Sequence, residues 1–235
     1  VSYDIEMMDN KVLKEDIKNF VGKFALAEEL EGKVIAVTGA TGLLGSCMVR
    51  CLLALYTEKG INLHVIAVAR NIQKAAGMFG EEREEISYYN YDFSSSEPFK
   101  PLRTVDYLFH FAAPTASKDF VDKPVETMNT VYLGMQNLLS YTREAKVQSL
   151  VLASTLEVYG TVTDDTEPLT EQMQGYLDPM ATRSSYPLAK RAAEALCHNY
   201  AAEYGVPVKV ARLAQTFGAG VSKTDNRVFA QFARS

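Results

Sequence analysis

The stretch KVIAVTGATGLLG, residues 33–45, decides the fold. Its first half is an apolar run typical of a buried strand, and its second half places glycines at positions 39, 42 and 45, directly before a helical pattern over residues 43–58. A strand, a glycine turn and a helix in this order are typical of a dinucleotide site. There Gly39 permits the tight turn, Gly42 lets the backbone approach a pyrophosphate, and Gly45 packs the helix on the sheet. A turn that merely needs flexible glycines is the alternative.

The same alternation of strands and helices continues along the chain. Helical patterns over residues 125–144 and 186–204 lie between apolar strands, which read KVIAVTG, LHVIAVAR, ISYYNYDF, DYLFHFAA, SLVLAST and PVKVARLA. Strands that are apolar on both faces and separated by helices indicate a parallel sheet covered by helices. We therefore predict an α/β protein with a Rossmann-type, doubly wound parallel sheet, whose ligands bind at the carboxyl ends of the strands.

Three segments are expected along the chain. Residues 1–30 are charged and helical in pattern, residues 31–213 carry the dinucleotide-binding domain, and residues 214–235 start a smaller C-terminal substrate lobe. Because the helical pattern is still running at VFAQFARS, we expect that lobe to be truncated here. The stretch 161–183 has no clear period and is predicted to be a long loop over the strand ends.

Composition excludes several classes of protein. The chain has 235 residues, 24 basic against 29 acidic, and a net charge of -5. This balance, without a basic patch, argues against a nucleic-acid partner. No apolar run is long enough to span a membrane, so we expect a cytoplasmic protein. Cys47 and Cys51 lie four residues apart without further ligands nearby, which favours helix packing over a metal site.

The ends of the second and third strands bear on the cofactor. An acidic residue that binds the adenosine ribose is typical of the end of the second strand, but the residue there is Arg70. A guanidinium suits a 2′-phosphate, so Arg70 favours NADP over NAD unless it is only a solvated strand end. Asp92 could accept a hydrogen bond from adenine, with Phe93 beside it, although an aspartate there is also an ordinary turn former.

Proton-transfer chemistry is indicated by two later stretches. SSYPLAKR places Tyr186 four residues before Lys190, so that both project from one face of a helix. A lysine cation and an oxidised nicotinamide both favour the phenolate form of a tyrosine. LVLASTLEVYG ends a buried strand in Ser154, Thr155 and Glu157 at the edge where a ligand binds. An isolated tyrosine–lysine pair on an amphipathic helix is the alternative.

These motifs together make the chain resemble the extended short-chain dehydrogenases/reductases, the NAD(P)-dependent nucleotide-sugar epimerase/dehydratase family. The matching motifs are TGATGLLG, FHFAAPT, NTVYLGMQNLL, ASTLEVYG, YPLAK and ARLAQTFGAG. Within the family, STLEVYG, DPMATRSSY and DNRVFAQF look most like UDP-glucuronate decarboxylases, followed by sugar-nucleotide 4,6-dehydratases. The chain departs from the family pattern at Arg70 and at Gln215, which stands where an asparagine is usual.

The resemblance implies roles for particular residues. Thr155, Tyr186 and Lys190 take the positions of the family's catalytic residues. Glu157, two residues beyond Thr155, could also be catalytic by removing the C5 proton or positioning a C6 carboxylate, unless it is a surface glutamate in a turn. The resemblance implies a tightly bound, recycled NAD or NADP in contact with Lys190 and with Gly39, Thr41, Gly42, Leu43, Leu44, Gly45, Arg70, Asp92, Phe93, Ala112 and Ala113. It implies a nucleotide-sugar substrate near Thr115 and Gln215, and Arg183 is a candidate to bind an acid group or a phosphate of that substrate, unless it is a surface arginine that ends a loop. No metal is implied.

The function expected from these residues is that of an enzyme that oxidises C4 of a nucleotide-activated hexose or hexuronic acid and then dehydrates or decarboxylates it. A 4-epimerase, which needs no acid at position 157, is one alternative. A regulatory protein that binds the dinucleotide without turnover is another. The helix over residues 125–144 serves either the core or a homodimer interface.

Overall fold

A computed structural model describes residues 9–114, 116–163, 167–221, 225 and 228–233. Six strands form one sheet in the order β3-β2-β1-β4-β5-β6. Their bounds are β1 Val34–Thr38, β2 His64–Ala69, β3 Ile86–Asn90, β4 Tyr107–His110, β5 Ser149–Thr155 and β6 Val208–Leu213. The pairs β1–β2, β2–β3 and β5–β6 are parallel. The Rossmann-type α/β fold predicted from the sequence is confirmed.

Helices occupy most of the chain between the strands. They are α1 Lys11–Lys23, α2 Leu43–Lys59, α3 Ile72–Phe79, α4 Ser117–Asp122, α5 Pro124–Glu144, α6 Ser185–Tyr204 and α7 Val228–Phe232. Short 3-10 turns cover Ala27–Leu30, Leu156–Tyr159 and Thr182–Ser184. Among the described residues, none of the helices combines the length and the apolar character needed to cross a bilayer.

The chain divides into two compact units. The first contains Val1–Asn90, Val105–Tyr107 and Gln215–Ser235, and the second contains Tyr91–Thr104 and Leu108–Ala214. The division into an extension, a dinucleotide domain and a substrate lobe stays a prediction.

The first unit is built on β1 and β2. Every residue of β2 is buried, and so are the last four residues of β1. Helix α2 buries one apolar face, including Val49 and Leu53, and α1 packs on α2. Burial of this kind gives strands without alternation, because a parallel strand in the middle of a sheet is covered on both faces.

The second unit is built on β5, β6, α5 and α6. Alternate residues of β5 are buried, and α5 and α6 pack against each other with Leu138, Leu139 and Ala193 in the core. In the β5–β6 register, Ser154 lies opposite Arg212 and Thr155 opposite Leu213. The hydroxyl-bearing end of β5 is thus placed beside the end of β6 and near the first turns of α6.

Candidate active site

The glycine loop of the first unit has the shape that its sequence predicts. Gly39 follows β1 with φ +63°, a left-handed conformation that glycine adopts without strain. Gly42 then precedes α2 in an extended conformation and donates its N–H to the Gly39 carbonyl over 2.9 Å. The chain turns back within three residues and starts a 17-residue helix.

Close packing explains the other glycines. A Cβ atom at Gly45 would lie 2.2 Å from the Gly39 carbonyl oxygen, and one at Gly42 would lie 3.3 Å from it. Helix α2 has no side-chain cap, so the N–H groups of its first turn, at Leu43 and Leu44, remain for an anion. The loop therefore fits a pyrophosphate. Gly42 is exposed, and Thr41 beside it is half-buried.

The ends of β2 and β3 provide polar groups in the same unit. Arg70 is exposed directly after β2, and its carbonyl accepts a hydrogen bond from the Asn90 side chain over 3.4 Å. Asn90 ends β3 and lies opposite Ala69 in the register. The backbone at Arg70 is thus fixed by a hydrogen bond from the end of the neighbouring strand, β3.

In the second unit, Asp92 makes bonds within a turn and Phe93 lies in the core. One carboxylate oxygen of Asp92 accepts from the backbone N–H and the hydroxyl of Ser94, which is the local turn bonding typical of aspartate. The Phe93 ring is 4% exposed and contacts the rings of Tyr91 and His110. Their roles in cofactor binding stay predictions.

The remaining predicted binding residues are placed as follows. Ala112 and Ala113 are half-buried after β4, and Gln215 is exposed after β6. Thr115 lies outside the described residues. Within the described part of the chain, no cluster of three His, Cys, Asp or Glu side chains could hold a metal ion.

Three residues predicted to be catalytic meet at the end of β5. The Thr155 hydroxyl lies close enough to the Tyr186 hydroxyl to lower its pKa. Lys190 Nζ lies 5.9 Å from the centre of the Tyr186 ring and donates to the Ala153 carbonyl over 2.8 Å. The Tyr186 ring stacks on Phe120 at 4.4 Å with an angle of 3° between the planes. The tyrosine thereby lies between an aromatic ring and a hydroxyl group.

Burial governs the protonation of this cluster. It raises the pKa of Tyr186 to about 12, helped by the Glu157 carboxylate and opposed by the Thr155 hydroxyl and the Arg183 charge. Burial lowers the pKa of Lys190 to about 8, opposed by Glu194. At neutral pH the tyrosine is a phenol and the lysine is mostly charged. Among the groups of the protein itself, burial thus outweighs the Lys190 cation, which the sequence argument credited with favouring phenolate.

Glu157 and Arg183, both predicted from sequence, form an ion pair. Arg183 Nη1 donates to Glu157 Oε2 over 2.9 Å, and the guanidinium lies 5.0 Å from the centre of the Phe120 ring. Each residue is positioned by a 3-10 turn, Leu156–Tyr159 for the acid and Thr182–Ser184 for the arginine. Phe120 therefore contacts both this ion pair and the Tyr186 ring.

Glu194 is the residue at this site that the sequence argument missed. Ser154 Oγ donates to Glu194 Oε1, and Arg212 Nη2 lies 2.7 Å from Glu194 Oε2. Glu194 follows Lys190 by four residues, the same spacing as between Tyr186 and Lys190. That repeated spacing was the available signal. Ser154 at the end of β5 therefore bonds to a side chain of α6.

The segment after Gly160 is anchored near the cluster. Arg191 Nε donates to the Val158 carbonyl and its Nη2 to the Gly175 carbonyl. An isolated antiparallel bridge pairs Thr161 with Tyr176. Arg191 of α6 thus binds the predicted loop at Gly175 and the turn before it at Val158.

Together, the fold and the glycine loop define a dinucleotide-binding α/β protein. The sequence model of the NAD dependent epimerase/dehydratase family matches residues 35–235. The chain belongs to this family, which confirms the resemblance stated from sequence.

Named relatives refine the comparison. UDP-glucuronic acid decarboxylase 1 of Xenopus tropicalis is 29% identical over 228 residues, covering 94% of this chain and 51% of the relative. A Bacillus cereus UDP-glucuronic acid 4-epimerase solved in complex with NAD is 25% identical, with a TM-score of 0.61, covering 79% of this chain and 57% of that chain. A Streptomyces venezuelae dTDP-glucose 4,6-dehydratase shares the fold at 24% identity, with a TM-score of 0.68 and coverages of 86% and 61%. The chain spans about half the length of the curated relatives that it matches.

Proposed function

We propose that this protein binds an NAD-type cofactor and acts on a nucleotide-activated hexuronic acid, which it oxidises at C4 and then decarboxylates. The observation that carries the proposal is the cluster of Thr155, Tyr186 and Lys190 at the end of β5, in which the Lys190 ammonium lies 5.9 Å from the centre of the Tyr186 ring. Proton transfer at a sugar hydroxyl needs such a group. The identity of the relatives as UDP-glucuronic acid decarboxylases supports the substrate class.

In the first step, C4–H leaves as hydride and the O4 proton goes to the Tyr186 oxygen. A bound nicotinamide dinucleotide supplies the hydride acceptor, and the donor when hydride returns. Thr155 holds the substrate oxygen that loses its proton. Because burial raises the pKa of Tyr186 to about 12, the phenol must be deprotonated against that bias. The Lys190 cation and the positive charge of an oxidised nicotinamide both act in that direction.

In the second step, the C4 ketone lies β to the C6 carboxylate. The C5–C6 bond breaks, carbon dioxide leaves, and the electron pair is held on the C4 oxygen until C5 takes a proton. Arg183 already binds the carboxylate of Glu157, so its fork suits the carboxylate of a hexuronic acid. Glu157 is then released beside the substrate, where it helps to position the C6 carboxylate or exchanges a proton at C5.

The choice of dinucleotide depends on Arg70. Its exposed guanidinium follows β2, where a 2′-phosphate would be read, whereas the family description names NAD. We propose that Arg70 gives NADP the higher affinity. Dissociation constants for both dinucleotides test this, and a clear preference for NAD would refute it.

A 4-epimerase is the second candidate function, and the ion pair itself favours it. The Glu157 carboxylate is occupied by Arg183, and epimerisation at C4 requires no acid at that position. A structural relative is a 4-epimerase for UDP-glucuronic acid. In this case the 4-keto sugar would rotate and take the hydride back on its other face.

Product analysis separates these functions. The purified chain is incubated with NAD or NADP and with UDP-glucuronate, UDP-glucose, dTDP-glucose and GDP-mannose, and the products are identified by mass spectrometry and NMR. Loss of carbon dioxide from UDP-glucuronate supports the proposal, and UDP-galacturonate supports the epimerase. Uptake of cofactor with no conversion of any substrate would leave the protein as a non-catalytic dinucleotide binder.

A further inference from the structure

One carboxylate connects three elements behind the catalytic cluster. Glu194 of α6 accepts from the Ser154 hydroxyl at the end of β5. It also accepts hydrogen bonds from Nε and Nη2 of Arg212, a residue of β6, over 3.1 and 2.7 Å. The Glu194 side chain is 12% exposed and that of Arg212 is 23% exposed. A bidentate pair with so little solvent is stronger than a surface ion pair.

The remaining bonds of Arg212 fix its own position. Its Nη1 donates to the Glu171 carbonyl over 2.7 Å, and its guanidinium lies 5.0 Å from the centre of the Tyr159 ring. Arg212 and Ser154 are register partners in the β5–β6 pair. The sheet therefore presents two adjacent donors to one carboxylate of the helix.

The spacing on α6 relates this carboxylate to catalysis. Tyr186, Lys190 and Glu194 are separated by four residues each, so they follow one face of the helix in successive turns. Each lies at a different residue of the strand end: Lys190 donates to the Ala153 carbonyl, Glu194 accepts from Ser154, and Tyr186 lies near the Thr155 hydroxyl. Of the three, Glu194 lies farthest from the N-terminus of α6.

We propose that Glu194 is a positioning residue for the reaction. It fixes α6 against the ends of β5 and β6, and its negative charge keeps the Lys190 ammonium protonated while that group serves Tyr186. This inference rests on the proposed function for the role of Tyr186. The effect of Glu194 on Lys190 is a property of the protein alone and is testable without a substrate.

Among the groups around Lys190, Glu194 is the one that supplies negative charge. Tyr186 precedes it on α6, His110 faces it from β4, and Cys197 follows it on α6. Burial raises the pKa of the Cys197 thiol to about 12, and burial and Lys190 lower that of His110 to about 3. Both are therefore neutral near pH 7. Arg212 adds positive charge, which Glu194 offsets through the ion pair.

The direct test is the titration of Lys190 in the protein labelled with lysine carrying ¹³C at Cε. The Lys190 signal is assigned by its loss in Lys190→Met. In Glu194→Gln we expect the Lys190 midpoint to fall by about 1 to 3 pH units from its value in the unmodified protein. Glu203→Gln, which removes an exposed acid of the same helix, should leave the midpoint unchanged.

Two further variants keep the test decisive. If Glu194→Gln does not fold, Glu194→Gln/Arg212→Gln removes the unpaired guanidinium and should lower the midpoint by less than is expected for the single variant, because the positive charge of Arg212 is lost as well. Glu194→Asp retains the negative charge. The Lys190 midpoint in this variant should therefore return most of the way to its value in the unmodified protein. A midpoint unchanged in Glu194→Gln, with only the melting temperature lowered, would make Glu194 structural and overturn the proposal.

Turnover adds a second readout where a substrate is converted. The alkaline limb of the kcat profile should move to lower pH in Glu194→Gln by the same number of units as the Lys190 midpoint, with KM nearly unchanged. A rise in KM without a shift of the limb would contradict the inference. If no sugar nucleotide is converted, the proposed function fails, and the titration still decides the role of Glu194.

Discussion

Arg183 and Glu157, which lie 26 positions apart in the chain, are joined by a 2.9 Å ion pair beside the ring that supports Tyr186. The pair places a carboxylate, on Glu157, and a guanidinium that binds carboxylates, on Arg183, at the same point of the candidate site. Under the proposed function, a substrate carboxylate that enters there would compete with Glu157 for the guanidinium. The pair would then link the binding of an acidic sugar to the release of an acid–base group.

Glu157→Gln should separate the two chemical steps. Loss of the carboxylate removes a cause of the raised pKa of Tyr186, so that pKa falls and C4 oxidation should proceed at lower pH. The second step should stall, with reduced dihydronicotinamide visible by absorbance and a 4-keto sugar in the mass spectrum. Glu144→Gln, at an exposed position near the end of α5, is the control. Normal product at the normal rate would place Glu157 outside the reaction and favour the epimerase.

Arg183→Lys should weaken recognition of an acidic sugar. The ammonium keeps the charge but loses the bidentate fork and the flat contact with Phe120. We expect KM for UDP-glucuronate to rise roughly tenfold, which corresponds to about 1.4 kcal/mol, while KM for a neutral hexose nucleotide changes little. Arg103→Lys, at an exposed position before β4, provides the matched control. Equal KM values in all three proteins would reduce Arg183 to a surface residue.

Tyr186→Phe should leave binding nearly intact and abolish most turnover. The phenyl ring keeps the stack on Phe120, but the hydroxyl near Thr155 is lost. General acid–base catalysis typically contributes about 10² to 10⁴-fold, which is the expected loss in kcat. Cofactor affinity is measured by calorimetry beside Tyr132→Phe, a change on α5. Retained activity would remove Tyr186 as the base.

Gly45→Ala should disrupt the cofactor loop. The new methyl group would lie 2.2 Å from the Gly39 oxygen, and relief of such a contact typically costs about 1 to 3 kcal/mol. Gly77→Ala is the matched change, because a Cβ there has no neighbour within 4 Å and alanine in a helix should stabilise by about 0.4 to 1 kcal/mol. Urea unfolding and dinucleotide titration compare the two. Equal stabilities and affinities would show that the loop tolerates a side chain at position 45.

The stability of the protein should rise with pH above about 8 because of Lys190. Its pKa is about 8 in the folded protein and 10.5 ordinarily, so between these values the unfolded chain holds more protons. The contribution of Lys190 to the free energy of unfolding therefore rises between pH 8 and pH 10.5 and is lost again as the pH falls from 10.5 to 8. Urea unfolding of the unmodified protein and of Lys190→Met at several pH values isolates the effect. Identical slopes for the two proteins would contradict the lowered pKa.

The sequence predicted the sheet because its strands are continuous apolar runs, and strands at 34–38, 64–69 and 149–155 appear where the patterns indicated. Helices α3 and α4 were not predicted. They have 8 and 6 residues, too few for a helical period to be evident. Periodicity identified the long helices and missed these two short ones.

At the candidate site, local spacing was informative and distant pairing was not. Tyr186 and Lys190 follow from a four-residue spacing on one helix. The Glu194–Arg212 pair depends on how α6 lies over the β5–β6 register, which no short stretch of sequence encodes. The raised pKa of Tyr186 likewise depends on burial by residues far along the chain.

The alignment of α6 with the end of β5 also governs which changes in chain length the protein can accept. Ala153 and Ser154 bond to Lys190 and Glu194, respectively, and Thr155 lies near Tyr186. One residue inserted between Tyr186 and Glu194 would rotate everything beyond it by about 100°. At most one side of the insertion could then keep its bonds to the strand. Libraries that substitute residues on the other faces of α6 should yield folded variants, whereas libraries of insertions and deletions in this interval should yield almost none.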